Sequence, residues 1–331
     1  MADEVWSVRR LLEWTAGSFK DRGVDSPRLE AEILLAHALK CPSRVMLYLK
    51  YDEVPGEEER SRFRELVKRR LCGEPVAYLV GYKEFYSLDF EVNSDVLIPR
   101  PETEKIALAG IEFIRGLRKA ALEAEVKPGN ARSSSHRAES PEGESELSAK
   151  ERGALAMEKA PITRILDIGT GSGALAVVLA KNLPRTEVVA VDISPAALAV
   201  AKGNAERNGV AVKIDFRQSD LFSAVRPDER FTLIVSNPPY VTEAEYAELE
   251  PSVRNFEPRG ALVSGPKGTE ILERILKDAP ARLVPGGRCY IEISPMIAGE
   301  CEVLLKKSEF KKFSILNDNA KLKRVICAEI G

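Results

Sequence analysis

Ile165-Leu166-Asp167-Ile168-Gly169-Thr170-Gly171-Ser172-Gly173-Ala174 is the stretch whose reading decides the fold. Ile165 to Ile168 predict a short buried strand, and the apolar run from Ala174 to Lys181 predicts a helix. A strand, a glycine turn and a helix in that order open a βαβ unit. Glycines let the backbone approach a ligand closely, and a helix N-terminus welcomes polar or negative groups. Asp167, Gly169, Thr170, Gly171, Ser172 and Gly173 are therefore the first candidate cofactor-binding residues. With Ala174 in the last slot the stretch also satisfies the loose dinucleotide fingerprint, so it does not name the cofactor.

The alternation continues toward the C-terminus. Val188 to Asp192 predict a second strand, and Ser194-Pro195 starts a helix over Ala196 to Asn208. Val212, Ile214 and Phe216 predict a third strand, ending at Asp220. Thr232 to Val235 predict a fourth, which must end at Asn237 because Pro238 and Pro239 cannot donate to a ladder. A helix around Glu270 to Leu283, a fifth strand at Arg288 to Ile293 and late strands at Phe313 to Leu316 and Val325 to Ile330 complete the pattern. This is a doubly wound, Rossmann-like α/β sheet.

Ligands of such sheets bind beyond the carboxyl ends of the strands. Asp192 ends the second strand, where a carboxylate can accept both ribose hydroxyls. Asp220, with Leu221 beside it, ends the third, where an adenine edge would lie. Together these positions indicate an adenosine-bearing cofactor without saying which. Asn237-Pro238-Pro239-Tyr240 decides between the two. A hydride-transfer enzyme has no obvious use for a rigid acceptor cluster there. A methyltransferase acting on a planar nitrogen does: the side-chain oxygen of Asn237 and the carbonyl of Pro238 can hold two N–H bonds. Pro239 and Tyr240 would wall that site.

Upstream, residues 5 to 73 read as four short helices: Val5, Val8, Leu12 and Phe19; Leu29, Ile33 and Ala36 after Ser26-Pro27; Val45, Met46 and Leu49; and Phe63, Leu66, Val67 and Leu71. The last helix also carries Arg60, Arg62, Arg64, Lys68, Arg69 and Arg70, either a solvated face or a contact for an acidic or RNA-bearing partner. From Tyr78 to Pro99 a β-hairpin is expected, turning near Asn93-Ser94-Asp95. Arg100-Pro101-Glu102-Thr103-Glu104 then opens a helix. Residues 119 to about 160 break the pattern: Lys127 to Ser135 and the Glu- and Ser-rich stretch after it have almost no aliphatic content, the composition of a disordered insertion.

Composition narrows the chemistry. The 331 residues are 44% hydrophobic and 30% charged with a formal net charge of −2, which argues against a non-specific nucleic-acid binder. No apolar run approaches the ~20 residues of a membrane span, and the N-terminus lacks a signal-peptide profile. Five scattered cysteines without a C-x-x-C pair suggest reduced thiols in a cytoplasmic protein. With only His37 and His136, histidine-based zinc sites and catalytic triads are poorly supported, and no metal is expected.

At this point the chain resembles the HemK/PrmC family of protein-(glutamine-N5) methyltransferases. The resemblance rests on Glu74 to Gly81, Leu97-Ile98-Pro99-Arg100-Pro101-Glu102-Thr103-Glu104, Asp167 to Gly173, Asp192 to Pro195, Ser236 to Tyr240 and Phe256 to Leu262. It implies a class I S-adenosyl-L-methionine domain over 101–331. Before it come a helical domain over 1–80 that docks a class I peptide chain release factor and a hairpin linker over 81–100. It implies Asn237, Pro238 and Tyr240 as catalytic residues, and Arg100 and Glu102 with Asn237 to Tyr240 as substrate contacts. The expected reaction is in-line transfer of a methyl group to the amide nitrogen of the glutamine in a Gly-Gly-Gln motif. Two positions depart from the family pattern. Glu292-Ile293 is followed by Ser294-Pro295 where the family has glycine, and Leu221 replaces a frequent aromatic residue, forgoing roughly 0.5–1.5 kcal/mol of stacking. A ribosomal-protein glutamine methyltransferase shares the site motifs. An adenine-N6 nucleic-acid methyltransferase and a non-catalytic release-factor-binding module are the remaining readings.

Overall fold

The computed structural model describes residues 5–126 and 162–331. Among the described residues, four helices occupy residues 5–73 as expected, α1 (Val8–Asp21), α2 (Pro27–Ala38), α3 (Met46–Leu49) and α4 (Glu57–Leu71), and a fifth, α5 (Val76–Val80), follows them before the first strand. Their core is Val8, Leu12, Phe19, Leu34, Leu35, Leu47, Phe63 and Val67. The expected faces of α2 and α3 are offset, because Leu29, Val45 and Leu49 are exposed while Ala31, Leu34 and Leu47 turn inward. All six cations of α4 are already paired within the chain: Arg60 and Arg64 with Glu57, Arg62 with Glu58, Lys68 with Glu65, Arg69 with Glu74 and Arg70 with Glu30. That face is a neutralised, solvated surface and does not offer free charge to a polyanion.

The hairpin turns earlier than expected. β1 (Tyr82–Phe85) pairs antiparallel with β2 (Leu88–Glu91) through Tyr86-Ser87, whose φ of 52° and 58° suits a two-residue primed turn. Val96 to Ile98 form no strand. Their polar groups turn elsewhere: Val96 O accepts from the Tyr78 hydroxyl at 2.6 Å, and Ile98 N–H donates to the buried Glu257 at 3.2 Å. α6 (Glu104–Val126) runs eight residues into the expected insertion, because Lys119 to Val126 still contain strong helix formers. The rest of that insertion, to residue 160, lies outside the described residues.

The α/β part follows the expected alternation. β3 (Thr163–Ile168), α7 (Ala174–Asn182), β4 (Thr186–Asp192), α8 (Pro195–Arg207), β5 (Ile214–Gln218) and β6 (Phe231–Ser236) come first. After them stand β7 (Val241–Thr242), α9 (Glu243–Glu248), α10 (Pro251–Arg254) and β8 (Val263–Gly265), none of which the sequence reading anticipated. α11 (Glu270–Asp278), β9 (Leu283–Glu292), α12 (Ala298–Lys307), β10 (Lys312–Asn317) and β11 (Lys323–Glu329) close the chain. Val212 is not in β5; it stands exposed in the turn before it. The seven-stranded sheet has the order β10-β11-β9-β6-β3-β4-β5, parallel throughout except for β11.

The period-two alternation of each strand divides the core between the two faces of the sheet. Ile165, Val188 and Leu233 pack against Ile106, Ile111 and Ile114 of α6 and the buried side of α7. Leu166, Val189 and Ile234 pack on the other face against Leu272, Ile275 and Leu276 of α11 and Leu305 of α12. A sheet fixed on both faces holds its strand ends rigidly. Chain order reverses beside β3, so the loops after β3 and β6 diverge and leave a crevice between them.

Candidate active site

A cavity of about 450 Å³ opens at the carboxyl ends of β3, β4 and β6, a size suited to a small-molecule site. Its lining includes Asp167, Gly169, Thr170, Gly171 and Ser172 from the glycine turn, Asp192, Asp220, Leu221, Asn237 and Pro239. Gly173 stands behind the turn instead. At φ 80° it faces α8, where an added Cβ would lie 3.1 Å from Ala201 Cβ. Asn204, also on α8, ties the turn to the hairpin: Nδ2 donates to Ser172 O at 2.9 Å and Glu91 O at 3.0 Å, while Oδ1 accepts from Glu91 N–H at 2.7 Å.

The carboxylates differ in what they hold. Asp192 accepts from Gly171 N–H at 2.8 Å and Ser194 N–H at 2.9 Å, so it ties the glycine turn to the start of α8. Helix capping falls to Ser194, which accepts from Ala197 N–H at 3.1 Å. Burial raises Asp192 above the usual carboxylate range, against the pull of these backbone donors. Asp167 is buried; Oδ2 accepts from Thr170 Oγ1 at 2.7 Å and Ala176 N–H at 3.2 Å, while Oδ1 has no partner. Burial pushes its carboxyl up to about 7. An unpartnered buried acceptor that lines the cavity suits the cationic ammonium end of S-adenosyl-L-methionine. The glycine backbone and Asp192 suit its polar midsection, so the residues present fit this cofactor.

Asp220 pairs with Arg274 at 2.8 Å on the rim. Leu221 lines the cavity at φ 51°, an uncommon backbone for a leucine, and Phe222 is turned into the core. Ser219 and Ser223 hold this turn: Ser219 Oγ donates to Leu221 O at 2.8 Å, and Asp220 N–H donates to Ser223 Oγ at 3.0 Å.

Asn237 follows β6 and donates Nδ2 to Thr103 Oγ1 at 3.0 Å. Its Oδ1 is the atom left to accept. Thr103 donates to Glu292 Oε2 at 2.7 Å, and the Tyr240 hydroxyl donates to Glu292 Oε1 at 3.3 Å. Pro238 and Tyr240 do not line the cavity. Tyr240 instead leans on the core around α11 and raises its phenol well above its usual range through burial, then through Glu292. Arg100 is likewise taken up by an ion pair with buried Glu257, and Glu102 is exposed outside the cavity lining. Arg100 thus builds the frame, and neither it nor Glu102 lines the pocket. Thr103, Asn204, Glu257 and Glu292 escaped the sequence reading. The available signals were a carboxylate closing an apolar strand, at Glu292, and an asparagine within the alanine-rich inner face of α8, at Asn204.

Two family models match the chain: the PrmC N-terminal domain over residues 10–81 and the methyltransferase small domain over residues 154–253. A release factor glutamine methyltransferase of Rhodopirellula baltica is 45% identical over 325 residues, covering 98% of this chain and 96% of that protein. One from Geobacter sulfurreducens is 36% identical over 332 residues, covering 99% and 98%. Among solved structures, the Thermus thermophilus 16S rRNA N2 G1207 methyltransferase is 26% identical at a TM-score of 0.39, covering 54% of this chain and 40% of that one. Full-length identity at this level means that the chain belongs to the release factor glutamine methyltransferase family.

Proposed function

We propose that this enzyme methylates the side-chain amide nitrogen of the glutamine in the Gly-Gly-Gln motif of a class I release factor, in the cytoplasm, with S-adenosyl-L-methionine as cofactor. The observation that carries the reading is Asn237. Its amide is fixed through Nδ2 by Thr103, so Oδ1 is committed to accepting a donor from the cavity. A primary amide has two N–H bonds to offer, and Asn237 Oδ1 takes one; Pro238, outside the cavity lining, is not assigned the other. When bound, S-adenosyl-L-methionine supplies the electrophilic methyl group.

What the chain supplies is orientation and charge complementarity. An amide nitrogen is a poor nucleophile because its lone pair is delocalised. An acceptor at Asn237 Oδ1 that strengthens as positive charge gathers on nitrogen lowers the barrier, and positioning supplies the rest. The surplus amide proton leaves late, to water, so no step needs a histidine base. The paired cations of α4 disfavour a nucleic-acid substrate docking on that helix, whose basic face is already neutralised. Among the described residues, no helix is long and apolar enough to cross a membrane.

The test is Asn237→Ala, followed by mass spectrometry of a purified release factor in single-turnover reactions, with a ribosomal protein as the alternative substrate. Transfer to the release factor should fall by about 10²–10³-fold while cofactor affinity persists. Asn237→Asp should bind cofactor and still transfer poorly, because a protonated carboxyl would face an N–H with another donor. Wild-type rates in both variants would reduce Asn237 to a strand terminator. Preferential modification of the ribosomal protein would move the substrate assignment.

A further inference from the structure

Glu292 closes β9 at the same edge of the sheet as the cavity and is only 1% exposed. A carboxylate buried so deeply is costly unless its oxygens are occupied. Both are, by the hydroxyls of Thr103 and Tyr240. Thr103 has a single hydroxyl proton, and Glu292 takes it. Only lone pairs then remain to face Asn237, and a lone pair admits the amide nitrogen but rejects the amide oxygen.

A side-chain amide can sit either way round with nearly the same shape, so packing alone does not choose between its two ends. We infer that Glu292, acting through Thr103, is the positioning residue that sets which end of the Asn237 amide meets the substrate. This rests on the acceptor role given to Asn237 above. Tyr240 serves the same end from the other side by holding the second carboxylate oxygen in place.

Protonation of Glu292 reverses the arrangement. A carboxylic acid that donates to Thr103 turns the threonine proton toward Asn237, which must then offer Oδ1 there and present its NH2 to a substrate that is itself a donor. The groups facing Glu292 are Thr103 and Glu102 from the turn before α6, Tyr240 after β6, and Arg324 of β11, itself paired with Asp318. Burial dominates and pushes the Glu292 carboxyl up to about 7, with Thr103, Tyr240 and Arg324 pulling down and Glu102 pushing up. The reversal therefore falls where activity can be measured.

The experiment is a single-turnover pH series on purified release factor, at saturating S-adenosyl-L-methionine so that titration of Asp167 in the cofactor turn is suppressed. The wild-type rate should rise with pH through about 7 as Glu292 ionises. Glu292→Gln should lose that rising limb and run roughly 10–100-fold slower at alkaline pH, with cofactor affinity unchanged. Glu292→Asp keeps an ionisable carboxyl and should restore a rising limb. Thr103→Val should slow transfer as Glu292→Gln does, because the link to Asn237 is cut. A Glu292→Gln enzyme with the wild-type rate and pH profile would overturn the inference. If that variant does not fold, an unaltered rate and profile in Thr103→Val would do so. In either case an impaired Asn237→Ala control keeps the acceptor reading of Asn237, and a wild-type Asn237→Ala removes that reading instead.

Discussion

Replacing Gly173 with alanine should separate the mechanics of the glycine turn from its chemistry. Gly173 has φ 80°, and its added Cβ would sit 3.1 Å from Ala201 Cβ, 3.2 Å from Ala201 Cα and 3.4 Å from Ala201 O. Two costs add. The left-handed backbone costs an L-residue roughly 1–2 kcal/mol, and crowding against a helix backbone that cannot rotate away costs roughly 1–3 kcal/mol. Gly171 makes the control. It has φ 55°, but its Cβ would meet only Gly169 O at 4.0 Å, so the backbone term of roughly 1–2 kcal/mol stands alone. Because Gly171 lines the cavity, a methyl there occupies space that the cofactor needs. Thermal denaturation should therefore place Gly173→Ala several degrees below Gly171→Ala, at roughly 2–4 °C per kcal/mol. Calorimetric titration with S-adenosyl-L-methionine should show Gly171→Ala weakened at least about tenfold, or 1.4 kcal/mol. Equal melting temperatures would refute the packing account of Gly173. Undiminished affinity in Gly171→Ala would refute the view that the turn approaches the cofactor.

Asp192→Ala removes the tie from Gly171 N–H to Ser194 N–H and, with it, the carboxylate expected to accept the ribose hydroxyls. At roughly 1.5–3 kcal/mol for each charge-assisted bond lost, calorimetry should show at least about a hundredfold weaker cofactor binding, and unchanged affinity would take Asp192 out of the site. Glu229→Gln should destabilise the fold by about 3 kcal/mol, because it removes the buried carboxylate that Arg217, Arg164 and Arg226 share. Arg217 foremost holds the Glu229 carboxyl far below its ordinary 4.5. That stability is present above the unfolded value and is lost as pH falls toward the folded one. The gap in melting temperature between wild type and variant should therefore be wide at neutral pH and close in acid; a gap that does not change with pH would show that the ion pairs are not its source.

Where local pattern and tertiary need agree, the sequence was readable. Ile165 to Gly173 fold as a strand and turn because alternation, glycine placement and the following apolar helix all demand the same geometry. Asn237 was legible for a comparable reason: two prolines end the strand whatever surrounds it. The hairpin was misplaced because Phe85, Leu88 and Phe90 fit either turn. Tyr86 and Ser87 give no local sign that they will adopt positive φ. The offset of α2 has the same origin. Leu29, Leu34 and Leu35 offer two overlapping stripes, and contact with α1 and α4 chooses between them.

The part of the site that sets its polarity was beyond any local reading. Thr103 and Glu292 are 189 residues apart and meet only because α6 begins beside the carboxyl end of β9. Read singly, Thr103 is one residue of a helix-opening turn and Glu292 one charge at a strand end. Their roles arise from the count of protons among four side chains: Glu292 gives none, Thr103 gives one, Tyr240 gives one, and Asn237 must give from its nitrogen. Arg100 makes the reverse case. Its position in a distinctive string suggested contact with substrate, but buried Glu257 would be left as an uncompensated charge without it. A functional motif can thus contain residues that build the site beside residues that work in it. Charge balance in the folded chain assigns Arg100 to the first kind, and the acceptor role proposed for Asn237 would place it in the second.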